Sequence, residues 1–100
     1  MTDEMSTKFL CGKSIKMNLQ NEILTILQEE AAEVIQVVSK IHRFGLYPPS
    51  DNAKRLEQEL GDLQCMINLC IEHHLVDEAM LQIRTQEKRE KLKLWSNIPL

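Results

Sequence analysis

Residues 19–41 read LQNEILTILQEEAAEVIQVVSKI, and their spacing decides the fold. Apolar side chains recur every three or four positions, the period of an amphipathic helix and not of a strand. At roughly 100° per residue, Ile23, Leu27, Val34, Val38 and Ile41 mark the middle of an apolar arc. Leu24, Ala31 and Ile35 widen it on one side, and Ile26 and Val37 on the other. Two acids interrupt this greasy surface. Glu30 falls inside the arc, between Ile23 and Val37, and Glu33 falls at its edge beside Ile26. Glu29 points to the polar face near Gln36.

Working outward, Asn18 is placed to cap this first helix, and Gly45 to end it. Residues 45–51, GLYPPSD, form a loop, because Pro48-Pro49 does not sit inside a helix. A second helix is expected from about Asn52 to His73, capped by Ser50 or Asp51. A third is expected from about Val76 to Trp95, with Asp77 near its start, and Pro99 ends helical structure. Residues 1–17 are weakly patterned and read as an N-terminal arm, leaving residues 18–100 as the one folded domain. The expected class is all-α: an antiparallel bundle of three main helices, completed to a four-helix type by oligomerisation. A chain of 100 residues builds a small core, and a second subunit is a common way to complete one.

The second helix repeats the first helix's anomaly. Leu56, Leu60, Leu63, Ile67 and Cys70 set an apolar arc, extended by Met66 and Leu69. Glu59 and Asp62 fall within it, while Glu57, Gln58 and Gln64 face solvent. Each acid pair is spaced i, i+3 and shares one helix face. Packed antiparallel, the helices bring four acids together: Glu30, Glu33, Glu59 and Asp62. Unit charges about 4 Å apart repel by ~4 kcal/mol at an effective dielectric near 20, so the cluster calls for cations or protons. An all-oxygen set suits Mg²⁺, with Mn²⁺ as the alternative, better than zinc. A di-iron bundle needs Glu-x-x-His pairs, and the sequence has none. His73 lies on the stripe of Asp62, Met66 and Leu69, where the favoured reading is a partly buried or surface histidine near a helix end and the competing one is a residue bordering the site.

Carboxylate-held Mg²⁺ commonly takes substrate phosphates, which require cations nearby. Lys40 lies two turns beyond Glu33, with Arg43 close behind. Arg55 precedes Glu59 by one turn, where an ion pair with Glu59 is the competing reading. Arg84, Lys88 and Lys91 share a face of the third helix, continued by Trp95, with a solvated basic face as the competing reading.

The net charge of −3 weighs against a dedicated nucleic-acid binder, without preventing local charge of the other sign. Cys11, Cys65 and Cys70 are odd in number and lack a C-x-x-C spacing, so neither a disulfide framework nor a zinc site is expected. No secretory signal and no membrane-length apolar run is read, so the expected location is cytoplasmic, in the host cytoplasm if the chain is viral.

Glu29-Glu30-Ala31-Ala32-Glu33 followed by Glu59-Leu60-Gly61-Asp62 resembles the E-E-x-x-E and E-x-x-D signature of the MazG-like family, within the all-α nucleoside triphosphate pyrophosphatases. Ser39-Lys40-Ile41-His42-Arg43-Phe44-Gly45 resembles the S-K-x-x-R-F-G of many small, often phage-encoded members. Lys88-Arg89-Glu90-Lys91-Leu92 resembles the family's basic last helix. The resemblance spans roughly residues 19–95. It implies hydrolysis of a nucleoside triphosphate to its monophosphate and pyrophosphate, with Glu30, Glu33, Glu59 and Asp62 as metal ligands. It also implies that Glu29 or Glu33 orients or deprotonates the attacking water, and that the protein is a homodimer or homotetramer; Met66 and Asn68 are its candidate base contacts, with core packing the better reading of Met66. Two other readings stand beside it: a pyrophosphohydrolase of phosphoribosyl-ATP type, and a non-enzymatic helical oligomerisation or regulatory module whose acids are structural.

Overall fold

The computed structural model describes residues 18–100, so the arm expected over residues 1–17 lies outside the described residues. Among the described residues the chain is all-helical. Helix α1 spans Leu19–Phe44, α2 spans Asn52–Glu72 and α3 spans Glu78–Trp95, with no strand.

The ends of α1 follow the sequence reading. The Asn18 side chain accepts a hydrogen bond from the Asn21 amide at 2.8 Å. At the other end the Gly45 amide donates to the Ile41 carbonyl at 2.8 Å, and Gly45 adopts φ 90°, a conformation that disfavours any side chain. α1 ends at Phe44, at the stop expected from Gly45. Ser50 Oγ and Asn52 Nδ2 both donate to the Gly45 carbonyl, at 2.9 and 3.0 Å. Asn52 is buried, and the Ala53 amide donates to the Leu46 carbonyl at 3.0 Å. The hairpin tip is therefore tied down by its own polar groups. Asp51 stands at the start of α2 but makes no capping bond.

α2 stops at Glu72, where His73 and His74 turn the chain. Leu75 N–H donates to the Cys70 carbonyl at 2.8 Å and His74 N–H to the Ile71 carbonyl at 3.1 Å. That pair is the Schellman pattern, and it places His74 at its left-handed position, with φ 61°. Leu75 packs onto the core, as the motif's apolar contact requires. α3 begins at Glu78, two residues later than expected, because Asp77 itself is the cap and accepts from the Ala79 amide at 2.9 Å.

α1 and α2 pack as an antiparallel hairpin. Ile23 meets Met66 and Cys70 in the core, with Ile26, Leu27, Leu69 and Leu75 around them. Val37 is buried further along α1, toward the tip. α3 does not pack along either hairpin helix, so one chain forms a hairpin with a third helix standing off it. The composition explains this: residues 84–91, RTQEKREK, offer α3 no apolar side chain to bury. The molecule measures 52 × 39 × 17 Å, little more than one helix layer thick. The second stripe of α1 also stays open, with Leu24, Ile35 and Val38 exposed, Ile35 at 69%. No helix among the described residues is long and apolar enough to cross a membrane.

Candidate metal centre

The antiparallel register that joins Ile23 to Met66 also carries the acids together. Glu30 comes from the middle of α1, and Glu59 and Asp62 come from successive turns of α2. One carboxylate oxygen from each lies within 4.8 Å of the others. Glu30 and Glu59 are half-buried and Asp62 is exposed. The cluster therefore lies along the hairpin seam between two apolar stretches, the Ile23–Met66–Cys70 core and Val37. Desolvation pushes the Glu30 carboxyl above its ordinary value, and the charges of Asp62, Glu59, Glu33 and Glu29 push it further, in that order. Proximity to like charge and partial burial both disfavour the ionised form.

The donor set fits a hard divalent cation. An octahedral Mg²⁺ holds oxygens at about 2.1 Å, so adjacent ligand atoms sit roughly 3 Å apart and opposite ones roughly 4 Å apart. Three oxygens within 4.8 Å of one another need at most about 2 Å of closure to reach that arrangement, within the reach of side-chain rotation. The carboxylates leave the other coordination positions to water or to a ligand.

Glu33, expected as a fourth ligand, lies outside this group of three. It is exposed, one turn from Glu30 at the rim of the seam, and reaches the cluster only through its effect on the Glu30 carboxyl. Glu29 is exposed as its helical position predicts, and its influence on Glu30 is the weakest of the four. Lys40 and Arg43 are exposed on the last turns of α1, toward the tip.

Arg55 pairs backwards along its helix and not with Glu59. Its Nε donates to Asp51 Oδ1 at 3.0 Å, and that bond holds the Asp51 carboxyl below its ordinary value. Arg84 pairs with Glu87 at 3.3 Å. Arg84, Lys88, Lys91 and Trp95 all ride on α3, so within one chain they are not brought to the acids. Trp95 is 82% exposed.

His73 does not border the cluster. It lies eleven residues, about 16 Å, along α2 from Asp62, in a shallow cleft with Leu19, Gln20, His74 and Leu75. A shared stripe fixes the angle around a helix and not the distance along it. Met66 is core, as is Cys70, and Asn68 is taken up by a bond from Gln64 at 3.0 Å. Two features escaped the sequence reading. Asp51 is the partner of Arg55, at the i−4 position that helix spacing allows. The aromatic pair Phe44 and Tyr47 at the tip is the other, signalled by two bulky rings beside loop-forming Gly45 and Pro48-Pro49.

The described residues thus define an all-helical protein with a three-carboxylate cluster across a helical hairpin. Compared with known protein families, with characterised proteins and with solved structures, the chain matches none.

Proposed function

We propose that the protein is a Mg²⁺-dependent nucleoside triphosphate pyrophosphohydrolase of MazG-like type, converting an NTP or dNTP and water to the monophosphate and pyrophosphate. The observation that carries the reading is the convergence of Glu30, Glu59 and Asp62, from the two acidic motifs, within 4.8 Å in an otherwise apolar seam. Glu30, Glu59 and Asp62 hold the ion, with Mn²⁺ as the alternative. When bound, the ion neutralises phosphate oxygens and acidifies a water. Glu33, one turn away and outside the group of three, is placed to accept that water's proton, with Glu29 at the rim as the alternative base. Lys40, beyond Glu33 on the same helix, takes phosphate oxygens, while Arg43 lies thirteen residues, about 20 Å, along α1 from Glu30 and does not reach the same nucleotide. Arg55, Arg84, Lys88, Lys91 and Trp95 complete the substrate contacts only where a second subunit brings α3 over the hairpin. A homodimer or homotetramer is supported by the apolar surface left open at Leu24, Ile35 and Val38.

Purified protein incubated with each NTP and dNTP and Mg²⁺ is expected to release pyrophosphate. Glu30→Ala and Asp62→Ala are each expected to abolish the release. Orthophosphate as the direct product, or unchanged rates in both variants, refutes the proposal. Light scattering on the same sample reads the oligomeric state.

A further inference from the structure

Every aromatic side chain among the described residues lies outside the core: Phe44 is 67% exposed, Tyr47 is 70% exposed and Trp95 is further out still. Phe, Tyr and Trp carry the largest apolar area per residue and are normally used to fill cores and interfaces. Two of the three sit three residues apart at the hairpin tip, their Cα atoms no more than about 11 Å from each other. The tip is not loose, because the Gly45 carbonyl between them is held by Ser50 and by the buried Asn52. The Arg43 guanidinium lies over the Phe44 ring, 5.2 Å from its centroid. One ring face thus carries a cation, and the highly exposed ring offers its other face to solvent.

The tip is also the basic end of an acidic chain. Residues 40–55 hold Lys40, Arg43, Lys54 and Arg55 against one acid, Asp51, while the whole chain carries −3. Asp51 is already paired with Arg55, which leaves Lys40, Arg43 and Lys54 exposed around the rings. Exposed rings interleaved with cations are the chemistry that stacks bases and tracks a phosphate backbone. Phe44 lies fourteen residues, about 21 Å, along α1 from Glu30. One nucleotide with its phosphates on the acids does not reach the rings, so the tip is a second site, sharing only Lys40 with the first. With both rings two-thirds exposed and no walls around them, the surface suits a strand, which gains from several weak contacts, better than a free mononucleotide.

We infer that the hairpin tip binds single-stranded nucleic acid, with Phe44 and Tyr47 stacking bases and Lys40, Arg43 and Lys54 contacting phosphates. The inference does not rest on the hydrolase reading and is measured without metal or turnover. The test is fluorescence anisotropy of a labelled short oligothymidylate with the full chain in EDTA. Three phosphate contacts give a salt slope near −2, so affinity falls about 18-fold from about 50 to about 200 mM salt. Phe44→Ala and Tyr47→Ala are each expected to weaken binding about 5- to 100-fold. Phe44→Tyr and Tyr47→Phe, which keep a ring, retain it, and this separates stacking from damage to the tip. Absent binding at low salt, undiminished binding by the double alanine variant, or a mononucleotide that competes as well as the strand overturns the inference.

Discussion

Replacing Glu30 with glutamine keeps its shape and removes its charge, and in EDTA at pH 7 the variant is expected to melt higher than the parent. The Glu30 carboxylate lies within 4.8 Å of oxygens on both Glu59 and Asp62. At that distance two like charges repel by about 0.9 kcal/mol under water-like screening and about 3.5 kcal/mol at an effective dielectric of 20. All three groups reach solvent at least in part, so the lower figure applies, and two neighbours give about 1.7 kcal/mol. A Debye length of about 8 Å at physiological salt reduces this to about 1 kcal/mol. For a domain of this size that is a rise of about 4–8 °C in Tm.

The pH dependence carries the sign of the argument. Desolvation and the neighbouring acids raise the Glu30 carboxyl above its ordinary 4.5. Between 4.5 and the raised native value, the folded protein holds a proton that the unfolded chain has released. Stability therefore falls as pH rises through that window. The Glu30 penalty is absent below the window and complete above it, so the gap between variant and parent opens on going from acid to neutral pH. Mg²⁺ reverses the comparison. At a hundredfold excess over Kd it stabilises the parent by about 2.7 kcal/mol, and the glutamine variant, lacking one ligand charge, gains less. Thermal melts at matched ionic strength, with EDTA or Mg²⁺, read all three effects. A variant that melts at or below the parent in EDTA at pH 7, or an equal Mg²⁺ response in both proteins, refutes the idea of a cluster strained for want of a cation.

Three further outcomes are read by thermal or denaturant melts. Gly61 sits inside α2 with nothing within 4 Å of where a Cβ would stand, so Gly61→Ala should stabilise the chain by about 0.5–1 kcal/mol. If pyrophosphate release falls while stability rises, a second molecule approaches the backbone beside Asp62. His74→Gly relieves the left-handed conformation at φ 61° and is expected to stabilise by about 1 kcal/mol, whereas a loss would show that the histidine side chain anchors the turn. Met66→Ala opens the Ile23–Cys70 core and should cost about 2–5 kcal/mol; a cost below 1 kcal/mol would mean that this seam is not what holds the hairpin together.

The fold was legible wherever a local rule acts alone. Asn18, Gly45 and Asp77 cap because of their own side chains or the lack of one, and the periodicity of residues 19–41 needs no knowledge of the partner helix. The misreadings fall where two rules compete. Val76 continues an apolar pattern, yet Asp77 captures the Ala79 amide and moves the start of α3 past it. Asp51 stands where a cap belongs, but the Arg55 guanidinium offers it a charged donor and takes the oxygen that a cap would use. The stand-off of α3 from the hairpin within one chain has a different cause. A helical pattern counts apolar positions but not their continuity, and the eight polar residues 84–91 interrupt the stripe that α3 would need to lie against the hairpin.

At the site, angle was legible and reach was not. Projection around each helix separated Glu29 from Glu30 and placed Glu59 and Asp62 inward, and the hairpin brings Glu30, Glu59 and Asp62 together. The same projection put Glu33 at the edge of the arc, and at that edge the side chain is exposed. Position along the axis is what a projection discards. It leaves His73 on the stripe of Asp62 across about 16 Å of helix, and it sets the cations of α3 near a seam against which α3 does not pack in one chain. The three-acid cluster rests on pairing between adjacent helices, which the seven-residue connection from Gly45 to Asp51 enforces. In the proposed assembly, contact from Arg84, Lys88 or Lys91 comes from a second subunit. Charge reversal at Lys88 should therefore leave Mg²⁺-dependent stabilisation intact while changing catalysis only in the assembled oligomer.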